Sequence, residues 1–224
     1  METARRAIDM IPPGRPLSVG FFGGEPLLNW KLMQGVTAYV TDLAEKRKVT
    51  KSFHVTTNAI LLDDERIRFL DENGYSMIVS LDGPEDIHNR LRPAKDDKLN
   101  SQQATLANVQ KLKDTKQLRH RTTLRSTYTG LGADLVARLE YLNRIVEDGC
   151  ASHVSVEPCS LNETACLKLP DGHPLALTSE HFDGLAEEYH KAAEWYVTQV
   201  QAGRNPRFHH FMKPLERLLY TLHA

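Results

Sequence analysis

The first segment whose residue types could bind a ligand follows an apolar run near the start of the chain. It consists of Gly23, Gly24, Glu25 and Pro26, and it closes the run 17–22. Glycines lack a Cβ, so a ligand can approach their backbone closely, and the glutamate offers an acceptor to a ligand amine. The same four residues also suit a plain strand-to-helix turn, with the glutamate as a cap and the proline opening the helix. Taken alone, the segment leaves both interpretations open.

A hydroxyl, a carboxylate and a guanidinium form a second candidate further along the chain. Ser80 and Asp82 share one face of a predicted strand end, and Arg92 follows Asp82 by ten residues. A hydroxyl together with the fork of an arginine is a common way to hold a carboxylate. An ordinary strand–turn–helix with a surface arginine accounts for the same pattern. A third segment, Thr56, Thr57 and Asn58, ends another strand in three short polar groups and on its own favours a structural role.

Short runs rich in β-formers alternate with stretches of helical period along the whole chain. The predicted strands cover residues 17–22, 53–57, 76–81, 121–128 and 153–157. The predicted helices cover residues 2–11, 64–73, 101–112, 135–146 and 179–201. Strands separated by helices form a parallel sheet, so the sequence predicts an α/β fold. The three polar segments lie at the carboxyl ends of strands, where such folds place their sites.

Charge and cysteine content exclude several classes of protein. The net charge of the 224 residues is -1, which gives no support for a nucleic-acid partner or an anionic membrane. The chain has no apolar run long enough to span a membrane and no secretory signal at its start. Its three cysteines, Cys150, Cys159 and Cys166, are odd in number and match no zinc or haem spacing. A disulfide scaffold is therefore excluded, and a reducing cytoplasm is the predicted location.

Taken together, the three polar segments resemble the radical S-adenosylmethionine enzymes. The closer resemblance is to the branch that matures ribosomally made peptides and sulfatases, in which a SPASM domain usually follows the core. The helix start at residues 2–8 resembles the first helix of that branch, and residues 154–158 and 208–211 resemble its peptide-modifying subgroup, which includes thioether-forming maturases. The resemblance implies a partial TIM-like (β/α)6 barrel that lacks its first strand. It also implies one radical S-adenosylmethionine core domain over residues 1–224.

The resemblance assigns the cofactor-binding residues. In that family the segment matching Gly23, Gly24, Glu25 and Pro26 holds the amino group of the methionine part of S-adenosylmethionine. The positions matching Ser80 and Arg92 hold its carboxylate, and Asp82 on the same strand end is included in the predicted site. Three further strand positions are expected to line the ribose and adenine or the substrate path: Asn58, Arg125 and Val156. No catalytic residue and no metal ligand is assigned.

The implied chemistry needs two cofactors, and the chain has residues for only one of them. In the family a [4Fe–4S] cluster on a CxxxCxxC loop reduces S-adenosylmethionine, and the 5′-deoxyadenosyl radical abstracts hydrogen from a peptide or protein substrate. A reductant such as flavodoxin or ferredoxin supplies the electron. CxxxCxxC occurs nowhere in the sequence. We therefore expect an interior fragment, whose first strand and cluster loop lie upstream of Met1, which lacks the SPASM domain and is inactive by itself.

Two alternatives from other classes remain open. One is a module without a cluster that binds S-adenosylmethionine or a peptide and performs no radical chemistry. The other is a βα-barrel metal hydrolase that uses strand histidines among the ten in the chain: His54, His120 and His153. Satisfied or surface histidines are the simpler interpretation, and the adjacent His209 and His210 should diverge on a helix or strand. In a longer protein, the three cysteines could also join a cluster.

Overall fold

The computed structural model describes residues 1–96, 98–131, 134–159, 173–177 and 179–214. It contains helices and strands in regular alternation. The helices are α1 Glu2–Asp9, α2 Trp30–Arg47, α3 Asp64–Glu72, α4 Glu85–Leu91, α5 Ser101–Gln110, α6 Leu135–Glu147 and α7 Ser179–Gln201. The strands are β1 Leu17–Phe21, β2 Lys51–Thr57, β3 Ser76–Ser80, β4 Thr122–Tyr128 and β5 His153–Pro158. Short 3₁₀ helices cover Pro26–Asn29, Lys111–Asp114 and Leu118–Arg121.

The five strands form one sheet in the order β1-β2-β3-β4-β5, which is also their order along the chain. Leu17 of β1 pairs with Lys51 of β2, and His54 of β2 pairs with Ser76 of β3, both in parallel register. A parallel pair needs a crossover connection, and the intervening helices supply it. The predicted α/β class and all five predicted strands are confirmed.

Local sequence signals account for most of the element boundaries. The Asp63 carboxylate accepts a hydrogen bond from the Arg66 N–H at 2.9 Å and so caps the start of α3. The Asp134 carboxylate caps α6 in the same way through the Ala137 N–H, also at 2.9 Å. Two predictions were wrong in detail. The helix predicted to reach residue 112 ends at Gln110 and continues as a 3₁₀ helix, and His120 lies in a 3₁₀ helix instead of a strand.

Residue contacts group the chain into two compact units. Unit 1 contains Met1–Ser80, Gln103–Thr123 and Gly149–Ala151, and unit 2 contains Leu81–Gln102, Leu124–Asp148 and Ser152–Ala224. One core domain over residues 1–224 therefore stays a prediction. No helix in the described part of the chain is long and apolar enough to cross a membrane.

The core of unit 1 is built on an aromatic stack beneath the sheet. Tyr75, which is fully buried, stacks on Phe53 with ring centroids 5.1 Å apart. Its hydroxyl shares a 2.7 Å hydrogen bond with the Thr37 hydroxyl, so the phenol has a polar partner in the core. Burial raises the pKa of Tyr75 to about 12, so the phenol stays protonated across the physiological range.

The core of unit 2 centres on Phe208, which is fully buried. Its backbone forms a parallel bridge with Val154 of β5, and its ring packs edge-on against Phe211 at 4.8 Å between centroids. α7 has the predicted bounds, but its buried face differs in part from the predicted one. Val200 was predicted on that face and is 50% exposed, whereas Ala192 is fully buried.

β1 lies at one end of the strand order, and β2 is its only strand partner among the described residues. Three residues near its edge are exposed: Ser18, Gly20 and Phe22, the last of them 83% exposed. An edge strand presents unpaired N–H and C=O groups that can pair with another chain. The 224-residue chain is therefore expected to self-associate through the outer edge of β1.

A lysine at the edge tests this association. Gly20→Lys places a charge on the edge strand, and a Cβ there meets no atom within 4 Å, so the fold should tolerate it. Sedimentation velocity over a concentration series should show less association for the variant than for the unmodified chain. The matched control is Gly184→Lys on α7, where a Cβ also meets no atom within 4 Å. Equal association in all three proteins would rule out the β1 edge as the contact.

Candidate functional site

The Gly-Gly-Glu-Pro segment forms an open turn at the carboxyl end of β1. Gly23 and Gly24 have φ of +92° and +57°, in the left-handed region that residues with a Cβ rarely adopt. A Cβ built on either glycine would meet no atom within 4 Å. The glycines thus leave one side of the turn bare, with backbone that a ligand can reach.

The Glu25 carboxylate ties this turn to the end of the neighbouring strand. Its Oε1 accepts hydrogen bonds from the Leu27 N–H at 3.0 Å and from the Thr57 hydroxyl at 2.8 Å. Its Oε2 accepts a hydrogen bond from the Asn58 N–H at 2.8 Å. Glu25 therefore caps the 3₁₀ helix Pro26–Asn29, one of the two roles that the sequence left open. A carboxylate has about four lone-pair sites, and three of those on Glu25 accept these hydrogen bonds. An amine ligand could therefore donate to the fourth site and to the backbone carbonyls of the bare turn.

Asn58 belongs to a loop that is fixed from both sides. Its side-chain Oδ1 accepts a hydrogen bond from the Ile60 N–H at 3.0 Å, and its own carbonyl accepts one from the Thr105 hydroxyl at 2.9 Å. The Asn108 amide donates to the carbonyl of Ala59, which has a φ of +60°. α5 therefore holds the loop after β2, and through it the partners of Glu25.

In unit 2, Asp82 is the centre of a buried polar cluster. It is 1% exposed, and its Oδ2 accepts a hydrogen bond from Arg92 Nε at 2.5 Å. Its Oδ1 accepts one from the Thr127 N–H at 2.7 Å, and its carbonyl accepts one from the Ser126 hydroxyl at 3.1 Å. A buried carboxylate needs this compensation, because an unpaired charge away from water is strongly destabilising.

Arg92 was predicted to hold a cofactor carboxylate, and the structure places it on the carboxylate of Asp82. Only Nε makes that contact; the Nη groups form no hydrogen bond within the residues that the structure describes, and the side chain is 35% exposed. The guanidinium can therefore bind a second carboxylate with its outer edge. Ser80 ends β3 and is partly exposed.

Arg138 is a buried member of the Asp82 cluster that sequence reasoning missed. It is 1% exposed, and its Nη1 donates to the Ser126 hydroxyl and to the Thr127 carbonyl, both at 2.8 Å. Burial lowers its pKa and the charge of Asp82 opposes that shift. The position of Arg138 in the helical repeat of α6 could have predicted that it is buried. Arg138 follows Leu135 by three residues and so lies on the apolar stripe of α6.

His88 completes the cluster as a neutral acceptor. It is 1% exposed, and its Nδ1 accepts a hydrogen bond from the Asp82 N–H at 3.2 Å. Burial lowers the pKa of His88 to about 4, and the charge of Asp82 only partly opposes this. The ring is therefore uncharged at neutral pH, as an acceptor at Nδ1 must be.

The last two predicted positions lie on the final strands. Arg125 is in the middle of β4 and partly exposed, and Val156 on β5 is 1% exposed. Val156 offers only apolar surface. Arg125 Nε is buried and has no hydrogen-bond acceptor among the described residues.

The cysteines of the structure do not fit an iron–sulfur ligand set. Cys150 is buried, with its Sγ 3.9 Å from the Gln110 carbonyl oxygen. Burial raises the pKa of the Cys159 thiol, which favours the protonated form over the thiolate that binds metals. Cys166 lies outside the described residues. Within the described ranges, no three His, Cys, Asp or Glu side chains are placed to hold a metal ion.

The chain is similar in sequence to a known protein over part of its length and similar in fold to several solved structures. No family model matches the chain. Uncharacterized protein MJ0907 of Methanocaldococcus jannaschii is 32% identical over 98 residues, which are 43% of this chain and 33% of that protein.

Solved structures of anSMEcpe, a sulfatase-maturating radical S-adenosylmethionine enzyme, are similar over nearly the whole chain. The native protein with bound AdoMet matches 96% of this chain with a TM-score of 0.70 and 17% identity. The form with AdoMet and the Kp18Cys peptide matches 98% with a TM-score of 0.71 and 18% identity, and the polyhistidine-tagged form with AdoMet matches 97% with 0.74 and 18%. The chain spans 55–56% of the length of these structures. Its α/β fold with a five-stranded parallel sheet is thus similar to that of radical S-adenosylmethionine enzymes.

Removing the buried carboxylate tests the Asp82 cluster. Asp82→Ala leaves Arg92 without its partner and should lower the free energy of unfolding by about 2–4 kcal/mol. The control is Asp42→Ala, which removes the exposed pair of Asp42 with Lys46 and should cost less than about 0.5 kcal/mol. Urea denaturation measures both. Similar losses in the two variants would mean that the cluster contributes nothing beyond a surface ion pair.

The depressed pKa of His88 makes stability depend on pH. Between the ordinary value of 6.5 and about 4 the unfolded chain binds a proton that the folded chain does not. Stability should therefore fall as pH decreases through this window, by up to about 3 kcal/mol. His88→Asn keeps an acceptor and removes the titration, so urea denaturation across the window should show a smaller dependence on pH. An identical dependence in both proteins would exclude His88 as its source.

Proposed function

We propose that the chain is the core of a radical S-adenosylmethionine enzyme that modifies a peptide or protein. The observation that carries the proposal is the turn after β1, where two left-handed glycines leave bare backbone beside a glutamate anchored to the end of β2. The likeness in fold to structures with bound AdoMet supports it. In the same proposal the location is cytoplasmic, and neither nucleic acid nor membrane is a partner.

Two groups, each considered within its own unit, match functional groups that S-adenosylmethionine carries. In unit 1 the Gly23–Gly24 turn and the unused acceptor site of Glu25 suit an ammonium group. In unit 2 the Nη groups of Arg92 suit a carboxylate, because Asp82 fixes the guanidinium through Nε and leaves its outer edge for a ligand. S-adenosylmethionine supplies the 5′-deoxyadenosyl group of the proposed chemistry when it is bound. In the proposal, the Gly23–Gly24 turn of unit 1 is the part of the chain that binds it.

The iron–sulfur cluster is a separate part of the proposal. The sequence lacks CxxxCxxC, and the described cysteines and histidines do not form a ligand set. The described residues therefore do not fit an iron–sulfur cluster, and we expect the 224 residues alone to be inactive. The substrate is proposed to be a peptide because two of the similar structures contain one, Kp18Cys or Cp18Cys. The proposed reductant is flavodoxin or ferredoxin.

A module that binds S-adenosylmethionine without radical chemistry is the second candidate. It rests on the turn after β1 and the Arg92 guanidinium, which need no metal to form. The two candidates differ in how tightly the chain should bind S-adenosylmethionine without iron. An enzyme core needs iron to anchor the methionine end, whereas a module must bind tightly alone.

Saturation-transfer NMR with S-adenosylmethionine, which detects weak binding, tests the proposal on the 224-residue chain. We expect weak binding and no 5′-deoxyadenosine after addition of dithionite. Gly24→Ala puts a methyl group on the bare side of the turn and should abolish the signal. The control is Gly14→Ala, which also has a left-handed glycine, with φ of +81°, and open space around its Cβ.

The outcomes test the turn as the binding site, and the affinity without iron separates the two candidates. A signal lost in Gly24→Ala and kept in Gly14→Ala supports binding at the turn. Sub-micromolar binding without iron, measured by calorimetry, would favour the module over the enzyme core. A chain that shows no more signal than Gly24→Ala would overturn the assignment of the turn to S-adenosylmethionine.

A further inference from the structure

A second polar cluster lies in unit 2, apart from the contacts of Asp82. It contains one residue of β4, two of β5 and two that follow α7, and it is called the β4–β5 cluster below. Its members are Arg125, Ser155, Glu157, His209 and His210. The sequence alone does not predict their proximity, since Arg125 lies on a different strand from Ser155 and Glu157 and the two histidines follow more than fifty residues later.

Backbone contacts bring these residues together. The Cys159 N–H donates to the Tyr128 carbonyl at 2.7 Å, which aligns the ends of β4 and β5. Arg125 therefore lies beside the part of β5 that carries Ser155 and Glu157. The Val154 N–H donates to the Arg207 carbonyl at 2.7 Å and holds the following segment against β5.

The His210 ring is held by aromatic neighbours. Its centroid lies 5.2 Å from that of Phe208, which is fully buried, and 6.4 Å from that of Tyr189 in an edge-on arrangement. Its Nε2 lies 3.4 Å from Glu157 Oε1. The segment after α7 thus presents a fixed imidazole to the end of β5.

Glu157 is the one carboxylate of the β4–β5 cluster, and it is already engaged. Its Oε1 accepts a 2.6 Å hydrogen bond from the Ser155 hydroxyl. Burial alone would raise the pKa of Glu157, but this hydrogen bond and the neighbouring positive charges lower it. Those charges include Arg125 and both histidines, so Glu157 remains ionised beside several positive or potentially positive groups.

One charged donor of the β4–β5 cluster has no hydrogen-bond acceptor in the described part of the chain. It is Arg125 Nε, which is buried, whereas His210 Nε2 already faces Glu157 Oε1 at 3.4 Å. A guanidinium is always charged, and a buried charge without a partner is costly. Arg125 makes no ion pair with Glu157, although its charge acts on that carboxyl. The side chain is nevertheless partly exposed, so a ligand can reach it.

The geometry points to a carboxylate-binding site in which Arg125 holds a carboxylate of the substrate peptide. The exposed part of the Arg125 fork supplies the contact, while Ser155 and His210 engage the neighbouring carboxylate of Glu157. The carboxylate comes either from an Asp or Glu side chain or from the C-terminus of the peptide. The identification of the ligand as a peptide rests on the proposed function. The carboxylate chemistry rests on the β4–β5 cluster alone.

Arginine side-chain NMR of the 224-residue chain tests this site without any radical chemistry. The Nε–H signal of Arg125 is followed during titration with three pentapeptides. The first is N-acetyl-Ala-Ala-Glu-Ala-Ala-amide, the second has Gln in place of Glu, and the third is the Gln peptide with an unblocked C-terminus. We expect a saturable shift with the first or the third peptide, which identifies the source of the carboxylate, and none with the second.

Variants locate the effect at Arg125. Arg125→Gln should weaken binding of the responsive peptide on the order of tenfold to a hundredfold, as expected for loss of a charged hydrogen bond. Arg125→Lys keeps the charge without the fork and should weaken it less, so it serves if the Gln variant does not fold. Arg15→Gln, at an exposed arginine of unit 1, removes one charge elsewhere and should change nothing.

Binding of S-adenosylmethionine, measured separately in the same variants, distinguishes this proposal from the proposed function. Unchanged cofactor binding in Arg125→Gln supports a substrate site, and equal loss of both would assign Arg125 to the cofactor and overturn it. Equal shifts with all three peptides, or no shift with any, would also overturn it. A chain that binds the acidic peptide but not S-adenosylmethionine would contradict the proposed function and leave the carboxylate site standing.

Discussion

The carboxylate of Asp82, withdrawn almost completely from water, is the constraint on which unit 2 depends. A single arginine at its edge does not compensate such a charge, and the chain brings several elements to it. β4 supplies the N–H of Thr127, and α4 supplies a histidine that must stay neutral to accept the Asp82 N–H. Arg138 of α6 then occupies the acceptors that remain on β4. Several elements thus fix the loop after β3, and hydrogen bonds in such a network strengthen one another.

Glu25 and Asp82 show that a structural role and a binding role can belong to the same side chain. Both carboxylates follow a strand and both satisfy backbone N–H groups of a neighbouring segment. Beside each carboxylate, some groups that could bind a ligand remain without a partner among the described residues. The glycine turn beside Glu25 stays bare, and the guanidinium on Asp82 keeps its outer edge. Preorganised groups of this kind lose little freedom on binding, which is how a rigid site gains affinity.

The sequence was informative wherever the determinant is local. Strand ends could be predicted because glycine, proline or asparagine follows each apolar run, and Asp63 and Asp134 cap their helices through backbone N–H groups a few residues away. The Arg92–Asp82 pair could not be predicted as a pair, because a surface arginine and a ligand-binding arginine have the same local pattern. The β4–β5 cluster was also inaccessible. It depends on residues far apart in sequence, Glu157 and His210, which the Val154–Phe208 bridge brings together.

Gly83 links the Asp82 loop to α6 in a way that limits how the sequence can vary. Its φ is +127°, and a Cβ at this position would lie 3.2 Å from Cγ of Arg138. The buried side chain of Arg138 therefore packs directly against the Gly83 backbone, in the space that a side chain at position 83 would occupy. Shortening the residue at position 138 would remove the contact with Cγ but not the strain that this φ imposes on any residue with a Cβ, so position 83 is expected to stay glycine. Arg138 in turn is held by its hydrogen bonds to the Ser126 hydroxyl and the Thr127 carbonyl.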